Sequence, residues 1–164
     1  MKRLVNVLFE HYIIFTMNLE VKELTKIKEM LVQIETIRFL YPKLSLEKYE
    51  TFLSEMIAHN YIQIAVFEDN VCLGITGCWS GTKLWTGKYL EIDNFVVHPE
   101  HRSKGIGKML TEYVEQKALN MDCSSIVLDA YTENFAAHRF YYNQGYGPRG
   151  FHFVKVLDKS KLTL

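Results

Sequence analysis

The sequence predicts an α/β (α+β) domain, with a mixed, mostly antiparallel central sheet of about six or seven strands flanked by about four helices. Three observations predict it. The hydrophobic period switches between two and 3.6 along the chain, giving elements in the order β-α-α-β-β-β-α-β-α-β. Of 164 residues, 48% are hydrophobic, and 10 Phe, 10 Tyr and 2 Trp supply the bulk to fill one core. No repeat, low-complexity tract or linker interrupts the pattern, so residues 17–164 read as a single domain, preceded by an extension over residues 1–16.

The elements follow in order. Leu19 and Val21 alternate with Glu20 and Lys22, which suits a half-buried strand over 18–24. Thr25 is placed to cap a helix in which Ile27, Met30, Leu31, Ile34 and Ile37 recur at helical spacing to about residue 40, where Pro42 stops it. Ser45 is a second N-cap, and Leu46, Tyr49, Leu53, Met56 and Ile57 stripe the next helix. YIQIAVFE and VCLGITGCWS are two strands joined by the tight Asp69-Asn70 hairpin. A polar turn over Gly81–Gly87 leads into KYLEIDNFVV, ended by Pro99. Ile106, Leu110 and Val114 define a helix over 105–120, and SSIVLDAY is a short, buried-type strand. A last helix over 133–143 stops at Gly145, placed at C′, and the alternation of FHFVKVL predicts a final strand.

Composition narrows the function. Nineteen basic residues balance nineteen acidic ones, so no global field draws the chain to nucleic acid, and a charged ligand must be recognised by local placement. The three cysteines, Cys72, Cys78 and Cys123, lack metal-ligand spacing and read as reduced thiols, with Cys72 and Cys78 on one strand face. MKRLVNVLFEHYIIF has a basic start and an apolar stretch, but Glu10 and His11 interrupt it and no small-residue cleavage site follows. No apolar run approaches the length of a membrane span. A cytoplasmic protein without metal, nucleic-acid or membrane partners is expected.

HRSKGIGKML, residues 101–110, joins the apolar strand end Phe95-Val96-Val97 to an amphipathic helix. The first amides of a helix lack intrahelical partners and the helix dipole adds positive charge there, so this join is disposed to hold a phosphate or pyrophosphate. Gly105 and Gly107 admit close approach of the backbone, and Arg102, Lys104 and Lys108 add charge.

Two motifs carry a resemblance. Arg102-Ser103-Lys104-Gly105-Ile106-Gly107 fits a Q/R-x-x-G-x-G/A loop, and about 30 residues on, NFAAHRFYYNQGY (134–146) fits an Asn…Ala…Phe-Tyr…Gly-Tyr segment. Together they resemble the GNAT superfamily of acetyl-coenzyme A-dependent N-acetyltransferases, over residues 18–157. The resemblance implies the GNAT fold and acetyl-CoA as acetyl donor. It implies that the amides of Ser103, Lys104, Gly105, Ile106, Gly107 and Lys108 hold the pyrophosphate, with Arg102 beside them. It further implies that the backbone of Phe95, Val96 and Val97 pairs with the pantetheine arm as an added strand would, and that Asn134 contacts that arm.

Transfer to an amine requires the nitrogen to lose a proton, an oxyanion to be stabilised and a thiolate to leave. An ammonium with a pKa of roughly 10 needs a base at neutral pH, or a site favouring the free amine. Glu91 and Asp93 stand two apart on one strand and share a face. By resemblance either is the base or amine anchor, and the sequence leaves the two level. Tyr141 matches the family's thiolate-protonating tyrosine, with a core aromatic as its bland alternative. Tyr142 points elsewhere on the helix. A backbone amide of Val96 or a neighbour would stabilise the oxyanion. His98 shapes the turn before Pro99, and His152 and Phe153 are candidates for the acceptor pocket.

The resemblance implies an acceptor site made by the first two helices and neighbouring loops. Here these carry Tyr41, Tyr49, Glu29, Glu35, Glu47, Glu50, Trp79 and Trp85, a mixture suited to a cationic amine through ion pairing and cation–π contact. A small-molecule amine acceptor, attacked directly in a ternary complex, is the leading expectation. A protein or peptide acceptor is the alternative, and a non-catalytic CoA-binding module the third reading. The resemblance also implies a homodimer, through residues 1–16 or the last strand.

Overall fold

The computed structural model describes residues 18–163. The extension over 1–16, and any strand, helix or dimer contact expected of it, lies outside the described residues.

One sheet runs in the order β1 (Leu19–Leu24), β2 (Tyr61–Glu68), β3 (Val71–Lys83), β4 (Gly87–Val97), β5 (Ser125–Leu128). The first four strands are antiparallel neighbours, and β5 joins β4 in parallel after a helical crossover. The β2–β3 hairpin closes through Asp69 (φ 47°) and Asn70 (φ 68°), two residue types that accept the left-handed conformation a two-residue hairpin needs. The helices are α1 (Ile27–Leu31), α2 (Ile34–Ile37), α3 (Leu46–Ile57), α4 (Ile106–Asn120) and α5 (Phe135–Asn143).

Ser45 caps α3 by accepting the Lys48 amide at 3.1 Å. Helix α3 then buries Tyr49 and Leu53, packing with Met30, Ile34 and Ile37 of α1 and α2 against Tyr61, Ala65 and Ile75. On the opposite sheet face, α4 buries Ile106, Leu110, Val114 and Ala118 against Ile64, Val66, Leu90 and Ile92. Each layer excludes water from one face, and at about 25 cal/mol per Å2 of apolar surface this burial is the main term holding the layers together.

Three expectations need correction. The helix expected over 25–40 is broken, with its first turn anchored by Glu29, whose carboxylate accepts the Thr25 and Lys26 amides at 3.2 Å each. The Gln33 side chain takes the Glu29 carbonyl at 3.3 Å, so the Gln33 amide turns to Met30 three residues back, and α1 ends there. The sheet has five strands among the described residues, because 151–157 joins no ladder and leaves Phe153 and Leu157 nearly fully exposed. Alternation marks a segment able to use one face, but a strand also needs a neighbour for its backbone. Cys72 and Cys78 lie on opposite faces, since a bulge at Leu73 shifts the β2–β3 register between Val66 and Phe67.

A second bulge positions the site. Gly77 pairs with Asp93 and Ile75 with Val96, so Asn94 and Phe95 oppose the single residue Thr76. Asn94 takes φ 52° there. The extra residue flips the parity of β4: Leu90 and Ile92 face α4 before it, whereas Phe95 and Val97 do so after it.

Candidate active site

Strand β5 pairs with β4 only from Tyr89 to Ile92, after which the two strands part. Beyond Ile92 the β4 edge facing β5 has no ladder partner among the described residues, and the bulge falls at that point. A cleft of about 80 Å3 opens there, lined by Glu91, Ile92, Asp93, Asn94, Phe95, Asp129 and Tyr141. Both candidate carboxylates and the candidate acid, 50 and 48 residues apart in sequence, thus reach one small space.

The two carboxylates have different surroundings. Asp93 is fully engaged: its Oδ1 accepts the Asn94 amide at 2.8 Å, and its Oδ2 accepts Asn94 Nδ2 at 2.7 Å and Trp79 Nε1 at 3.1 Å. Asn94 Oδ1 in turn accepts the Tyr41 hydroxyl at 2.7 Å, which ties the segment after α2 to the bulge. Burial, with Asp93 close by, holds the Tyr41 phenol above its ordinary value. Glu91 has a single partner, Lys83 Nζ at 3.4 Å from Oε2, and its other oxygen is uncommitted among the described residues.

Tyr141 comes from α5, which starts at Asn134. The Asn134 side chain caps that helix by accepting the Ala137 amide at 3.1 Å. The Tyr141 ring packs edge-on against Phe95, Phe140 and Tyr146, at 5.9, 5.2 and 5.6 Å between centroids. Burial pushes its phenol well above the ordinary value, with Tyr146 adding to the shift, so it stays protonated at neutral pH. Tyr142 turns outward and is exposed, as the helical spacing predicts.

The anion cradle lies at the other end of the β4 segment. Gly105, at φ 87°, is the N-cap of α4 and brings no side chain to bond the first-turn amides. No described residue accepts a hydrogen bond from the amides of Ser103 to Lys108, while the α4 ladder begins with the Met109 amide on Gly105 O at 3.0 Å. Ser103 also adopts a left-handed backbone (φ 60°). Arg102 Nε donates to Val97 O at 3.3 Å and so fastens the loop to the end of β4. Gly107 packs against Phe140, where an added Cβ would stand 3.2 Å from the ring, and α5 thereby lies against the first turn of α4. Lys108 pairs with Glu112 at 3.5 Å. Unclaimed amides, a glycine cap and nearby basic residues form a donor set that fits a pyrophosphate.

One lining carboxylate escaped the sequence reading, and His152, a candidate for the acceptor pocket, is bonded to it. Asp129 follows β5 directly, and the carboxyl end of a parallel strand is where open α/β sheets place ligand contacts, which was the available signal. His152 Nδ1 lies 2.7 Å from Asp129 Oδ2, so the segment expected as a last strand reaches the cleft without one. Trp85 is exposed, and of the two tryptophans only Trp79 bonds a cleft residue. His98 shapes its turn as expected, accepting the Glu100 amide at 3.3 Å. His98, Glu100 and His101 have ligand-type atoms within 4.8 Å of one another, outside this cleft. No helix among the described residues is long and apolar enough to cross a membrane.

Unclaimed main-chain amides thus lead along an unpaired strand edge to carboxylates and a protonated phenol. The family model of the Acetyltransferase (GNAT) family matches residues 28–146, and the chain belongs to that family and is an acyltransferase. It is 27% identical over 124 residues to the uncharacterized N-acetyltransferase YhdJ of Bacillus subtilis, covering 75% of this chain and 87% of that protein. It is 34% identical over 73 residues to the aminoalkylphosphonate N-acetyltransferase of Salmonella typhimurium, covering 44% and 46%. Among solved structures, the fold is shared with glucosamine-6-phosphate N-acetyltransferase of Arabidopsis thaliana, with TM-score 0.68, 20% identity and coverage of 85% and 99%. It is also shared with the aminoglycoside N-acetyltransferase AAC(6')-Iy in complex with CoA, with TM-score 0.73, 16% identity and coverage of 84% and 94%.

Proposed function

We propose that this protein transfers the acetyl group of acetyl-CoA to a primary amine of a small molecule, by direct attack within a ternary complex. The observation that carries the reading is the meeting of Glu91, Asp93, Asp129 and Tyr141 in one cleft where β4 and β5 part. Three carboxylates against one lysine partner favour a cationic acceptor. The relatives named for aminoalkylphosphonate, glucosamine-6-phosphate and aminoglycosides act on small amines by those names, which supports the substrate class.

In this reading the amides of Ser103 to Lys108, with Arg102 alongside, bind the donor's pyrophosphate. The open edge of Phe95–Val97 receives the pantetheine arm, and Asn134 borders it across the split. Acetyl-CoA supplies the activated thioester carbonyl. Glu91, the less committed carboxylate, anchors the ammonium and takes its proton, directly or through water. Asp93 is spent on Trp79 and Asn94 and acts as a fixed negative charge. A backbone amide of the Phe95–Val97 segment steadies the oxyanion, and Tyr141 gives its proton to the departing thiolate.

The test is thiol release from acetyl-CoA with a panel of small amines and of peptides. Release with small amines, and a fall of about a hundredfold or more in kcat/KM for Glu91→Gln but not for Asp93→Asn, is expected. Release with peptides alone moves the acceptor to proteins. CoA binding without release by any acceptor removes the enzyme reading for these conditions and leaves a CoA-binding module.

A further inference from the structure

Lys83 is a cation paired with the cleft residue Glu91 that the chemistry above does not use. It sits at the end of β3, paired with Gly87, while Gly81 pairs with Tyr89 and Trp79 with Glu91. Lys83, Tyr89 and Glu91 therefore lie on one sheet face, the face of the cleft carboxylates. The Lys83 ammonium stands 4.2 Å from the centroid of the Tyr89 ring and 3.4 Å from Glu91 Oε2. Tyr89 is set by Gly81: an added Cβ there would meet the phenol oxygen at 2.9 Å and two ring carbons at 3.1 Å, so the ring rests on bare backbone. An aromatic face and a carboxylate around one ammonium are what a protein offers an amine ligand. Here the occupant belongs to the chain itself.

We propose that the Tyr89 ring and the Glu91 carboxylate form the ammonium subsite of the acceptor, and that Lys83 fills it as an internal stand-in that a cationic acceptor displaces. The inference rests on the acetyl-transfer reading and deepens it, because it names where the acceptor's charge docks and which residue sets the threshold for entry. Displacement is feasible. The Lys83 and Glu91 side chains are 41% and 29% exposed, and a pair of that exposure is held weakly. Lys83 thus selects for acceptors whose cation competes with a tethered ammonium, and against neutral or weakly basic ones. No covalent step is involved, only exchange of one ammonium for another.

The experiment has two arms, both on the full chain. In the first, n-butylammonium is titrated into protein saturated with CoA, which lacks an acetyl group and so allows binding without turnover. Lys83→Met, which keeps the stem and removes the charge, is expected to tighten this Kd about threefold or more, whereas Lys83→Arg is expected to leave it near the wild-type value. Adding Tyr89→Leu to Lys83→Met is expected to return the Kd toward wild type. In the second arm, Lys83→Met is expected to lower the amine KM by about the same factor. A merely structural Lys83 would lower thermal stability without tightening either constant. Unchanged or weakened Kd and KM in Lys83→Met overturn the proposal, and Lys83→Gln repeats the measurement should Lys83→Met misfold. Tightened binding with no thiol release from any amine overturns the acetyl-transfer reading and leaves the subsite standing.

Discussion

Asn94→Asp is the most informative single substitution, because it changes one atom at the bulge and its effect has a worked pH dependence. Asn94 Nδ2 donates to Asp93 Oδ2 at 2.7 Å while Oδ1 accepts from Tyr41. Aspartate keeps the shape, the tolerance for φ 52° and the acceptor for Tyr41, but sets an oxygen against an oxygen. With both carboxylates ionised at 2.7 Å, the repulsion is about 6 kcal/mol at an effective dielectric of 20, suited to a half-buried pair. Protonating one of them at pH 7 costs about 4 kcal/mol, from an unfolded value near 3.9 at 1.36 kcal/mol per unit. Protonation is the cheaper route, so the pair shares a proton and its folded pKa rises above the unfolded one. A raised folded pKa means stability present below the unfolded value and lost as pH climbs toward the folded one. The variant should match wild type near pH 4, and fall behind by about 1.4 kcal/mol per pH unit to a deficit of about 4 kcal/mol at pH 7. Urea unfolding of both proteins at pH 4, 5, 6 and 7 measures this difference. A deficit that is flat with pH, or below about 1 kcal/mol at pH 7, refutes the account of Asn94 as the clamp on Asp93.

Tyr141→Phe keeps the ring against Phe95, Phe140 and Tyr146, so folding should be unchanged while kcat drops by about a hundredfold or more and the KM for acetyl-CoA moves little; unchanged turnover removes Tyr141 as the acid. Since burial lifts this phenol, any alkaline limb of wild-type kcat that belongs to it should fall above the ordinary tyrosine value, and a Tyr141 limb at lower pH contradicts its burial. Gly105→Ala meets no atom within 4 Å but must hold φ 87°, at a cost of about 1–2 kcal/mol, so stability should fall by that amount and the Kd for CoA should rise about fivefold or more. CoA binding equal to wild type in that variant dissociates the cradle from the donor. Burial raises Tyr49 and Tyr146 to about 12, above an unfolded value of roughly 10, so their contribution is complete below pH 10 and lost as pH rises toward 12. The urea midpoint should decline across that window, and a midpoint constant from pH 9 to 12 contradicts the buried phenols.

Local signals and their order were legible in the residue types alone. The Asp69-Asn70 hairpin, the Ser45 cap, the glycine join at 105 and the stop at Gly145 each rest on a conformation or hydrogen bond made within a few residues, so the residue types report them directly. The loop 102–107 and segment 134–146, at their spacing, were enough to reach the GNAT family. The tertiary structure decided what depends on partners distant in the chain. Whether FHFVKVL becomes a strand turns on a neighbouring edge for its backbone, and alternation carries no information about that edge. The side-chain bond from Gln33 to Glu29 that ends α1 competes with an equally good helical bond, and composition does not rank the two. The parity of β4 depends on a bulge defined only by its register with β3. For the same reason Glu91 and Asp93, level as residues two apart on a strand, separate only when Trp79, Asn94 and Lys83 are brought beside them by the sheet. Identity follows from contacts close in sequence, whereas the assignment of roles within the site follows from long-range pairing.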